Sequence, residues 1–156
     1  MKKLLIILLL LVFMPAQSHS GVRYPALLHN VLVKDGFIFS SKDSDPANLV
    51  YRHHRLIVVV KPNGNSVASV GFIAAEGVDP HKVVDAIAYV YLVYQMQYGK
   101  QLSKNDALIT KIWRIFDTIT HNCKLSGGKA KFNFDDLSIT AQQFPGSAIY
   151  AMTPLF

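Results

Sequence analysis

The chain has 156 residues, a formal charge of +6 and one cysteine. That length suits one domain with a core of its own. A lone cysteine excludes a disulfide framework within the chain, and cations dispersed without a Lys/Arg run argue against a nucleic-acid partner.

The amino-terminal residues read as a secretory signal. Lys2 and Lys3 precede an unbroken apolar run over residues 4–14, and then come Pro15 and the small-residue stretch Ala16-Gln17-Ser18-His19-Ser20. A positive end, a greasy core and small residues before a polar sequence are the three parts of a cleaved leader. The apolar run is too short to cross a bilayer, which takes about 20 residues. Cleavage after Ser18 or after Ser20 satisfies the small-residue preference. Residues 1–18 are therefore expected as signal peptide and residues 19–156 as a single compact domain. Loss of Lys2 and Lys3 brings that domain to about +4. The expected location is the periplasm or the cell exterior, with membrane contact limited to the signal peptide and weak attraction to anionic surfaces.

After a lead containing Pro25, residues 27–33 read as an extended apolar segment. Lys34-Asp35-Gly36 before Phe37-Ile38-Phe39 reads as a hairpin turn, because Asp-Gly between apolar runs accepts the positive φ of a tight turn. Residues 40–48 form a polar loop rich in turn formers. Residues 49–60 predict a strand ending in Leu56-Ile57-Val58-Val59-Val60. Such an aliphatic run points to burial on both faces and a central position. Lys61-Pro62-Asn63-Gly64-Asn65 then turns the chain into a partner strand over residues 67–75, where Gly71 marks a bulge or a close backbone approach.

Asp79-Pro80 opens a helix as N-cap and first helical residue, and Gly99 stops it. Its body is apolar nearly all round, so it is buried on most sides or offers a spare face to a partner. Ser103-Lys104-Asn105-Asp106 resembles a capping box and begins a second helix through His121. On that helix Leu108, Ile109, Ile112, Trp113, Ile115, Phe116 and Ile119 make a wide apolar stripe, with Lys111, Arg114 and Asp117 outward. Residues 129–134 alternate as a half-buried strand does. Residues 137–141 and 147–152 are weaker strands on either side of Phe144-Pro145-Gly146. Strands, then two helices, then strands predict an α+β fold, an antiparallel sheet of about four to six strands with both helices on one face.

Four groups of residues carry possible chemistry. Arg52, His53, His54 and Arg55 cluster cations and imidazoles whose mutual repulsion an anion or an acidic partner would relieve, more so where histidine is protonated. Asp117 and His121 share a helix face at i, i+4, with Cys123 just beyond, the parts of a thiol nucleophile site. Tyr91, Tyr94 and Tyr98 fall on one helical face, and tyrosine enrichment suits a protein interface. His29, His53, His54 and His81 lack i, i+4 zinc spacing and any CxxC. Asp43-Ser44-Asp45 is followed by Pro46 and lacks a calcium loop's glycine and distal glutamate. No metal or cofactor is expected. No GxSxG, HExxH, Walker loop or dinucleotide fingerprint occurs.

The expected function is a non-enzymatic exported protein that recognises another protein in the bacterial envelope or outside the cell, of the inhibitor, immunity or secretion-accessory kind. The alternatives are a small exported hydrolase or transferase using Cys123 and His121, and a small-ligand carrier.

Overall fold

A computed structural model describes residues 23–100 and 106–155. The leader reading over residues 1–18 and the Ser103 end of the capping box lie outside the described residues. Three helices and seven strands are found there. They are α1 (Tyr24–Lys34), β1 (Ile38–Phe39), β2 (Leu49–His53), β3 (Leu56–Asn63), β4 (Ser66–Ala75), α2 (Pro80–Gln97), α3 (Asp106–Leu125), β5 (Lys129–Phe134), β6 (Leu137–Phe144) and β7 (Ser147–Pro154). All seven strands join one sheet in the order β1-β2-β3-β4-β7-β6-β5, with every neighbouring pair antiparallel. The fold is α+β, as the grouped elements predict, with one strand more than the expected range.

The helices cover one face. Along the row Tyr51–Val58–Phe72–Tyr150–Ala141, residues in register across five strands are all buried. The row beside it, Arg52–Ile57–Ile73–Ile149–Gln142, faces the other way, and Ile73 and Ile149 keep 36% and 38% of their surface. β3 is accordingly not buried on both faces: Val58 and Val60 are buried while Ile57 and Val59 are half-exposed. Its aliphatic run reflects a central place in the sheet, not a second layer.

Residues 27–33 are helix, not strand. Leu27, Leu28, Val31 and Leu32 are the buried residues of α1, a spacing that returns to one face every three to four positions. Pro25 sits in its first turn, where a missing N–H costs nothing. Asp35-Gly36 consequently ends a helix instead of turning a hairpin, with Gly36 at φ +92. The expected strand over 49–60 is also two strands. The chain reverses at His54-Arg55, and Leu49–His53 pairs back on Leu56–Val60.

α2 is capped as predicted: the Asp79 carboxylate accepts the His81 backbone N–H at 2.9 Å, Pro80 is the first residue, and Gly99 follows the last turn at φ +69. It packs against α1, α3 and the sheet strands β3 and β4. Three neighbours explain why residues 83–94 are apolar on nearly every side. α3 lies over β5 and β6 and buries Ile112, Ile115, Ile119 and Cys123.

Candidate functional site

The reversal at His54-Arg55 sets up the site. His54 adopts φ +48, a left-handed conformation that histidine visits less readily than glycine and that is held here by the pairing of β2 with β3. Alternation along β2 then divides the sequence cluster. Arg52 faces the open side of the sheet, where its guanidinium pairs with Asp43 at 3.1 Å. His53 faces the helices, with its ring 5.3 Å from Phe37 and 4.7 Å from the edge-on ring of His54.

His53, His54 and Arg55 line a hollow of about 400 Å³ together with Gly77, Val78, Asp79 and Lys82. Arg55 crosses its rim and donates Nη1–H to the Glu76 carbonyl. Gly77 makes room for this arginine: a Cβ there would stand 3.0 Å from Nη1, at a φ of +75 that already favours glycine. Lys82 is the fourth basic side chain, brought from the first turn of α2 and paired at 3.0 Å with Asp35 at the end of α1. The Tyr89 hydroxyl also donates to Asp35, so this carboxylate, whose side chain is buried, fixes the lysine at the hollow's wall.

At His53 itself the surroundings disfavour a further positive charge. Burial, then the charges of Lys82 and His54, hold the His53 pKa below its ordinary 6.5. An anion in the hollow would reverse that penalty and draw a proton onto the ring. Behind the hollow, burial and then the charge of Asp35 push the Asp85 carboxyl up. Burial raises the Tyr89 phenol first, helped by Asp35 and Asp85. Lys82 and Asp35 were not legible as site residues, because they are 47 positions apart and meet only when α1 packs against α2.

A second hollow of about 340 Å³ adjoins the first, and Gly77 and Val78 line both. Three rings stand in its wall among small and polar residues that include Glu76, Gln143 and Ser147. Phe116 from α3 and Tyr150 from β7 stand 5.5 Å apart, and Phe144 at the β6–β7 turn keeps 40% of its surface exposed. At the end of the sheet where α2 begins, a hollow with Arg55, Lys82 and the Asp79 carboxylate in its lining thus adjoins one lined in part by Phe116, Phe144 and Tyr150.

The remaining sequence candidates do not converge. Cys123 is buried on the inner face of α3, while Asp117 and His121 are exposed on its outer side, so the thiol, imidazole and carboxylate form no site. Helical rotation is the reason: Cys123 continues the apolar stripe of Ile112, Ile115 and Ile119. Tyr91 and Tyr94 are buried, not an interface. The Tyr91 hydroxyl donates to Asp135 at 2.8 Å and that of Tyr94 to the Met152 carbonyl at 3.3 Å. Only Tyr98, at the helix end, is exposed among the three. His29 packs on Phe39 and Tyr51, and His81 on Trp113. No three His, Cys, Asp or Glu side chains gather to hold a metal ion among the described residues. No family model matches the sequence, and neither a curated protein nor a solved structure matches it.

Proposed function

We propose that the chain is an exported, non-enzymatic binding protein that grips an acidic, apolar-flanked segment of another protein in the bacterial envelope or outside the cell. One observation carries this reading: the cationic and aromatic hollows meet at Gly77 and Val78. A carboxylate held by Arg55 and Lys82 places the neighbouring residue of its own chain beside Phe144 and Phe116. A simple inorganic anion would use only the first hollow. Charge-assisted hydrogen bonds contribute about 1.5–3 kcal/mol each, and an aromatic pocket next to them has the character of an interface hot spot. The leader-like amino terminus supports export, and the separation of Cys123 from His121 speaks against a thiol enzyme.

The test is affinity capture from the native host's envelope extract with the tagged chain. A saturable partner is expected, released by salt and lost with Arg55→Glu and with Phe144→Asp. Lys61→Glu, a charge reversal near the opposite end of β3, retains it. Absence of a saturable partner, or capture indifferent to both site substitutions, overturns the proposal.

A further inference from the structure

A separate hollow of about 480 Å³ opens between α1 and the inner face of the sheet, within the size range of small-molecule pockets. Three rings form its corner. Phe39 and Tyr51 lie 5.4 Å apart, and His29 meets them edge-on at 5.5 and 5.6 Å. Pro25, Leu49 and Pro46 extend the apolar wall, and among the described residues no Asp or Glu lines it. Arg23, at the mouth, has no ion pair or side-chain hydrogen bond among the described residues.

The hydrogen bond at the corner decides what His29 presents. Tyr51 is fully buried, and among the described residues its hydroxyl has one partner, His29 Nδ1 at 3.1 Å. Were Nδ1 the donor, the phenol proton would be buried with no acceptor, a costly arrangement. The phenol therefore donates to Nδ1, and the neutral imidazole carries its proton on Nε2. Burial pushes the Tyr51 pKa up to about 12, which keeps that proton in place. His29 Nε2–H has no partner among the described residues and is not a fully buried atom. The hollow thus offers donors, Arg23 and Nε2–H, beside flat apolar walls.

We propose that this hollow binds a small aromatic carboxylate, with its ring against the half-buried Phe39 and Leu49 and its carboxylate on Arg23 and His29 Nε2–H. Arginine and a protonated ring nitrogen can only donate, so the ligand must bring acceptors. The positive charge with no acid in the lining selects an anion, and the aromatic corner selects a planar body. This site is independent of the protein-recognition surface at the α2 end and stands or falls without it.

The probe is 3-phenylpropionate, titrated into the isotopically labelled chain by NMR and compared with 3-phenylpropan-1-ol, which keeps the ring and lacks the charge. Saturable shifts at His29, Phe39 and Tyr51 are expected, with the alcohol and the Arg23→Ala variant each binding about tenfold more weakly or worse. Imidazole nitrogen shifts should report the Nε2–H tautomer in the parent chain and its loss in Tyr51→Phe. No saturable shift, equal affinity for the alcohol, binding unaffected by Arg23→Ala, or shifts confined to the His53–Arg55 hollow would each overturn the proposal. The last outcome would leave the reading of the His53–Arg55 hollow intact.

Discussion

At the scale of single residues, His53 is the group whose chemistry reaches furthest. Its pKa lies below 6.5 in the folded chain because burial and then Lys82 and His54 disfavour the imidazolium, whereas the unfolded chain leaves it near the ordinary value. The unfolded state therefore binds more protons in that window, and stability must rise with pH there. Native stability at this site is complete above 6.5 and lost as pH drops through the depressed folded value. Urea denaturation measured from about pH 7 to about pH 5 should show that decline, and His53→Gln should flatten it. An anion bound in the hollow acts oppositely, since it favours the charged ring, so capture of the acidic partner should strengthen over the same pH range. An equal slope in the His53→Gln variant would assign the decline to another group.

At the scale of elements, the helices differ in how they are held. α2 has a side-chain N-cap, and Asp79→Ala should cost about 1 kcal/mol, measured by urea denaturation. α1 has no side-chain cap at Arg23 and depends on packing: Leu28 and Leu32 are fully buried between the helix layer and the sheet. Leu28→Ala should therefore cost about 2–5 kcal/mol in the same measurement. The contrast matters for function, because both hollows depend on α1. One uses Asp35 at its end to place Lys82, and the other uses its His29 and Pro25 as wall.

At the scale of the molecule, the three helices among the described residues screen one sheet face, and Ile73, Ile149 and Ile38 are exposed on the other. The sheet's two edges are guarded differently. β1 has only two residues, and β5 carries Lys129 and Lys131 along the opposite edge, both recognised ways to discourage strand addition. Cys123 serves as a reporter of the whole core, since α3 and the sheet bury it. Iodoacetamide should label it only as fast as the molecule opens, and labelling should accelerate with urea in step with global unfolding. Rapid labelling of the native chain would contradict its place in the core.

Much of this architecture was legible in the linear chain, for local reasons. The Asp79-Pro80 start and Gly99 stop of α2, the alternation of β5 and the turn at Phe144-Pro145-Gly146 rest on caps, periodicity and turn chemistry, which act over a few residues. α1 is ambiguous in the sequence although Leu27, Leu28, Val31 and Leu32 carry a helical spacing, because a short apolar segment beside Asp-Gly also satisfies strand and hairpin rules. Of the candidate site, the sequence by itself determined His53, His54 and Arg55 as a cationic cluster. Tertiary structure alone decided that strand alternation sends Arg52 to the other face, that Lys82 and Asp35 join across 47 residues, and that Tyr91, Tyr94 and Cys123 face inward. The physical reason is that a side chain's neighbours depend on which surface its helix or strand buries, and that is settled only when distant elements pack.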